Sequence, residues 1–104
     1  MKVAITCRAD SMDALIDQRF GRCSWFAVYD TVNQNVKFIK NTAKDEESGA
    51  GPAAVAIVAE AQVGKVVSGE FGFKIKQMLM ELNIQMVMLK EDKTVAQIIG
   101  LIAK

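Results

Sequence analysis

Gly49-Ala50-Gly51-Pro52-Ala53-Ala54-Val55-Ala56-Ile57-Val58-Ala59-Glu60-Ala61-Gln62-Val63-Gly64-Lys65-Val66-Val67-Ser68-Gly69 is the stretch that decides the fold. Proline fits the first position of a helix, where its missing N–H is no loss. The alanine-rich run 53–61 therefore reads as a helix entered through Gly49-Ala50-Gly51-Pro52 and ended by Gly64 as a C-cap. Lys65-Val66-Val67-Ser68 then reads as a short buried strand that stops at Gly69. A helix delivered straight into a buried strand is a crossover, and crossovers join parallel strands with a right-handed turn.

Upstream, residues 2–7 read as a central strand, with Val3, Ile5 and Cys7 on one face and Ala4 and Thr6 on the other. Residues 24–31 and 36–40 are aromatic and β-branched, and Asn33-Gln34-Asn35 between them predicts an antiparallel hairpin. Downstream, Phe71, Ile75, Met78, Leu79 and Leu82 share one helical face that Asn83 closes. Residues 84–89 predict a fifth strand, and residues 94–103 a last helix capped by Thr94 with Val95, Ile98, Ile99 and Ile102 inward. Residues 8–18 lack a period and read as an ordered loop, anchored by Met12, Leu15 and Ile16 as a helical turn or an apolar flap. The order β-β-β-α-β-α-β-α predicts one three-layer α/β domain over 1–104. Its five-stranded mixed sheet has the order 3-2-1-4-5 with strand two antiparallel, and three helices cover both faces.

The 104 residues carry 13 basic and 12 acidic side chains and are 51% hydrophobic, which leaves no concentrated basic face for nucleic acid. No apolar run approaches the roughly 18 residues of a membrane span, so the expectation is a cytoplasmic protein with no membrane partner, its two cysteines reduced. The methionines sit in apolar runs or the 8–18 loop and read as core filler. There is no histidine, so Ser–His and Cys–His pairs and histidine metal motifs are excluded. Asp45, Glu46 and Glu47 read as a solvated loop.

In this topology the ends of strands one, four and five meet the start of strand two at one rim, where open α/β sheets keep ligands. Asp17-Gln18-Arg19-Phe20-Gly21-Arg22-Cys23 brings two guanidinium groups and a thiol there, and Cys7 ends strand one at the same rim. Gly49, Ala50, Gly51 and the helix entry after Gly69 add unpaired amides and the positive ends of two helix dipoles, a setting for an anion.

Three motifs in this order, Asp17 to Cys23, then Gly49-Ala50-Gly51-Pro52-Ala53-Ala54, then Gly69-Glu70-Phe71-Gly72, resemble the dinitrogenase iron-molybdenum cofactor biosynthesis family over about residues 1–88. The resemblance implies a ribonuclease H-like fold and a protein that carries or holds an iron-sulfur-based cofactor or its precursor. Two positions depart from the family pattern. Arg19 stands where histidine is common, and Gly72-Phe73-Lys74 replaces Gly-Pro-Asn. The expectation is a non-enzymatic carrier of an anionic iron-sulfur or iron-molybdenum-type cluster, or another small anion, acting in metallocluster assembly as a monomer or weak dimer. Cys7 and Cys23 would be its metal ligands, with Arg19, Arg22, Gly49, Ala50, Gly51 and Gly69 completing the binding site. Two thiolates cannot close a four-ligand site, so a second protomer, cluster sulfides or a partner would complete it. The alternative is an interaction module whose 8–18 loop docks on a cluster scaffold or ATPase. A nuclease is disfavoured, because strands one and four carry no carboxylates for metal.

Overall fold

The computed structural model describes residues 1–46 and 49–102. Glu47 and the predicted helix end at Ala103 lie outside the described residues. Eight elements follow in chain order: β1 Lys2–Cys7, β2 Trp25–Asp30, β3 Asn35–Lys40, α1 Ala50–Glu60, β4 Lys65–Ser68, α2 Phe73–Glu81, β5 Gln85–Met88 and α3 Val95–Ile102. The sheet order is β3-β2-β1-β4-β5. β2 is antiparallel to β1 and β3, with Cys7 opposite Trp25, whereas β4 is parallel to both β1 and β5. This is the mixed α/β sheet that the crossover argument requires, and it agrees with the ribonuclease H-like fold that the resemblance implies.

β1 is central because both of its faces are apolar, and all its residues but Lys2 are buried. Ala4, Phe26 and Val66 on one face pack under α1 and α2 through Val55, Val58 and Leu79. Val3, Ile5 and Val67 on the other face pack under α3 through Val95 and Ile98. Each buried valine, leucine or isoleucine contributes about 1.5–3 kcal/mol of transfer free energy, so these two half-cores hold the layers together. α3 is fixed at its start by reciprocal bonds, Gln97 N to Thr94 Oγ1 at 3.1 Å and Thr94 N to Gln97 Oε1 at 2.9 Å. Among the described residues no helix is long and apolar enough to cross a membrane.

Several element ends differ from the sequence expectation. α1 begins at Ala50, so Pro52 is its third residue; its missing N–H still falls in the first turn, where no intrahelical partner exists. The left-handed residue after α1 is Gln62 (φ 62°), not Gly64, whose amide donates to Lys2 O at 2.8 Å and leads into β4. Phe71 is buried but precedes α2, which starts only after Gly72. Asn83 does take the left-handed conformation, at φ 58°.

Residues 8–18 form a strap rather than a helical turn. Arg8 N donates to Leu15 O at 3.1 Å, Ile16 N to Lys93 O at 2.9 Å, and Asp17 N to Thr6 O at 2.9 Å. Its carbonyls also serve α3: Val95 N donates to Ala14 O and Ala96 N to Met12 O, which satisfies amides left open at the helix start. The strap is therefore held by main-chain bonds at both of its neighbours, with Ile16 fully buried as its apolar anchor.

Candidate functional site at the rim

The rim is assembled by the ends of β1 and β4. Thr6 and Ser68, both buried, face each other across these strands at 3.0 Å, and Thr6 Oγ1 also donates to Asp17 O at 2.7 Å. The strap then crosses the crevice between β1 and β4. A side chain added at Gly69 would lie 2.6 Å from Gln18 Cα, so glycine is the only residue that lets the strap descend this far. In this conformation Gly69 is a buried packing glycine under Gln18.

Beyond the strap, Arg19 emerges to solvent, its side chain 67% exposed. Its amide donates to Asp17 Oδ1 at 3.0 Å, and its Nε lies 3.8 Å from the same oxygen. With Asp17 buried but the guanidinium in water and the contact long, the pair restrains Arg19 little and leaves it open to another anion. Arg22 is different, although it too is exposed. Its Nη1 donates to Lys44 O at 2.7 Å and also to Glu46 O, which ties the loop after Gly21 to the loop that leads into α1.

Asn41 completes this tie and escaped the sequence reading. It is buried, accepts from Ala43 N at 3.1 Å, and donates to Cys23 O at 2.9 Å and Gly21 O at 3.1 Å. A polar residue closing β3 just before a polar loop was the signal available, because a buried asparagine there must satisfy both ends of its amide.

α1 points its N-terminus at this rim. Gly49 is exposed and takes φ 80°, and among the described residues no side chain caps the helix. Gly21 sits against this turn: a Cβ on it would come 3.1 Å from Gly51 Cα. Gly51 in turn faces α2, since its Cβ would lie 2.5 Å from Ile75 Cδ1. Ala50 is buried beneath the same contact. These approaches bring Arg22, the positive end of α1 and the start of α2 together; Phe73, exposed, stands at the latter.

The two thiols share the rim but not a face. Cys7 packs in the α3 layer with Ile16 and Val95, and Cys23 in the α1–α2 layer with Phe20 and Phe26. Both are fully buried and free. Burial pushes the Cys7 thiol up to about 12, opposed in part by backbone hydrogen bonds at Ala27 and Ala9; its sulfur also donates to Trp25 O at 3.5 Å. Burial, helped by the charge of Asp17, pushes Cys23 up further despite its contact with Asn41. Both therefore stay protonated near neutral pH, whereas metal ligation needs thiolates. No group of three or more His, Cys, Asp or Glu side chains with metal-binding spacing occurs among the described residues. A shallow open groove of about 400 Å³ lies beside the edge strand β3, over Ile39 and Ile57, not above β1 or β4.

The whole chain, residues 1–104, matches the family model described as dinitrogenase iron-molybdenum cofactor. The chain belongs to the dinitrogenase iron-molybdenum cofactor family. No curated protein matches it. Among solved structures, this family member is similar to the apo form of the orange protein from Desulfovibrio gigas, at 29% identity and TM-score 0.90 over 95% of this chain and 83% of that one. A Thermotoga protein named as a NifB candidate of the DUF35 family is 26% identical, with TM-score 0.82 over 95% and 84% of the two chains. A Methanocaldococcus jannaschii protein named as a candidate dinitrogenase is 20% identical, with TM-score 0.68 over 99% and 88%, a likeness of fold.

Proposed function

We propose that this protein carries an anionic metal–sulfur cluster or its precursor at the rim, as a non-enzymatic accessory to metallocluster assembly in the cytoplasm. The observation that carries the reading is the convergence of the solvent-facing Arg19, Arg22 and the N-terminus of α1, which among the described residues no side chain caps, on one rim of a family member. Guanidinium forks and helix-start amides both donate toward negative charge, and together they suit a polysulfido anion better than a single cation or a neutral substrate. In the proposal Arg19 and the amides at Gly49, Ala50 and Gly51 meet the charge of the cargo. Arg22 holds the loop from which they are presented. Cys7 and Cys23 serve as metal ligands only in a loaded form in which the strap has lifted, exposing Gly69 and letting the thiols ionise.

The rival reading, docking through Met12, Leu15 and Ile16, keeps the exposed Met12 and the half-buried Leu15 but not Ile16, which is spent on the core. Anaerobic reconstitution with ferrous iron and sulfide, followed by desalting and metal analysis, tests the carrier reading on variants. Arg19→Ala should retain much less cluster than the parent protein, while Lys37→Ala on the far strand retains it all. Equal retention by Arg19→Ala and the parent would contradict the role of the rim. If Cys7→Ser and Cys23→Ser load as well as the parent, the cargo is held by charge and not by thiolate.

A further inference from the structure

The two edges of the sheet are built differently. β3 closes one side and carries Lys37 and Lys40, charges that discourage pairing with another strand. β5 closes the other with Gln85-Met86-Val87-Met88, which has neither charge nor proline, and among the described residues no strand lies beyond it. In a parallel ladder alternate residues turn both main-chain groups to the same side. Gln85 N donates to Gly64 O and Leu89 N to Ser68 O, both at 2.9 Å. Residues 85, 87 and 89 thus face β4, and Met86 and Met88 turn their N–H and C=O groups outward.

We propose that this edge pairs with the same edge of a second copy of the chain, antiparallel, about a two-fold axis through Val87. Parity fixes the register. A hydrogen-bonded antiparallel pair needs two outward-facing residues, so Met86 of each copy meets Met88 of the other and each pair exchanges both of its bonds. Val87, 38% exposed, then faces its own counterpart on the axis.

The occupant is a second copy because the edge is complementary to itself. Met86 and Met88 lie on the face that carries α2, so the pairing sets thioether against thioether, and the exposed Met88 and Leu82 are covered. Antiparallel pairing also brings Lys90, just past one end of β5, toward Glu81, the last residue of α2 before the other end. Two chains of net charge +1 repel little.

Light scattering on the whole chain tests this. At high concentration the mass should be twice that of one chain and should fall on dilution. Val87→Lys, which sets two ammonium groups on the axis, and Met88→Pro, which removes an outward N–H, should each weaken association by about tenfold or more. Circular dichroism should stay native for Val87→Lys, an exposed position, which keeps the test valid if proline perturbs the strand. Asp13→Ala, at an exposed position on neither sheet edge, should change nothing. The amides of Met86 and Met88 should exchange more slowly as concentration rises. A chain that remains monomeric with concentration-independent exchange at these amides, or a dimer that both variants leave intact, overturns the proposal. So does an edge that captures extended peptides but not itself.

Discussion

Asn41→Ala should cost far more than an ordinary loop substitution. The change removes an acceptor from Ala43 N and a donor from the carbonyls of Cys23 and Gly21, in a site where Asn41 is only 1% exposed. A buried group left unpaired costs about 1–3 kcal/mol. Gly21 is only partly buried, so water can recover its carbonyl, which leaves the Cys23 carbonyl and the Ala43 amide to set the loss. The two together come to about 2–6 kcal/mol, a large share of the roughly 5–15 kcal/mol that stabilises a domain. Because a 100-residue domain moves by roughly 4–8 °C per kcal/mol, the melting temperature should fall by at least about 8 °C. Urea unfolding should show a lower midpoint at an unchanged slope, because the surface exposed on unfolding is the same. A loss below about 0.5 kcal/mol, the range of neutral surface changes, would refute the assignment of Asn41 as the tie between these loops.

Gly51→Val should destabilise by about 1–3 kcal/mol or more with no ligand present, since its Cβ meets Ile75 at 2.5 Å; a melting temperature within error of the parent contradicts this. Arg22→Ala loses the Nη1 that reaches both carbonyls, and because the site is exposed the cost should stay near 1 kcal/mol by chemical denaturation. Above pH 9 stability should fall. Cys7 ionises near 9.0 when unfolded and near 12 when folded, so the unfolded chain binds fewer protons between those values and the native state loses about 1.4 kcal/mol per pH unit from this thiol. Cys23 acts in the same direction. Cys7→Ala should flatten the slope of stability against pH in that window, and an unchanged slope would assign the fall to other groups. Gly69→Ala should force the strap off the crevice, read as faster amide exchange at Asp17 and Arg19; unchanged exchange would show that the strap is not seated on Gly69.

Sheet order was legible because it needs only chirality and patterning: an apolar helix run between 49 and 69 compels a parallel pair, and the hairpin at 33–35 compels an antiparallel one. Thr94 was legible as a cap because capping is local. The glycines were misweighted for the opposite reason. Gly51 and Gly69 read as donors of amides, and what that reading leaves out is the room they supply for Ile75 and for Gln18, which are remote in sequence and near only once the layers stack. The thiols were placed on the right rim by the pairing of Cys7 with Trp25. Their depth depended on the strap, whose course is set by main-chain bonds to Thr6 and Lys93 that no side-chain pattern announces. Arg22 illustrates the same gap, since an arginine after a glycine turn looks alike whether it waits for an anion or bonds the carbonyl of Lys44.

The most direct test of the carrier reading is anaerobic isolation of the unmodified chain, followed by absorption spectroscopy and metal analysis on the same sample. The account predicts a coloured protein with iron or molybdenum and acid-labile sulfide bound in fixed proportion to chain, and loss of that colour when Arg19 is replaced by alanine. A colourless, metal-free protein that also fails to take up cluster on anaerobic reconstitution would contradict it.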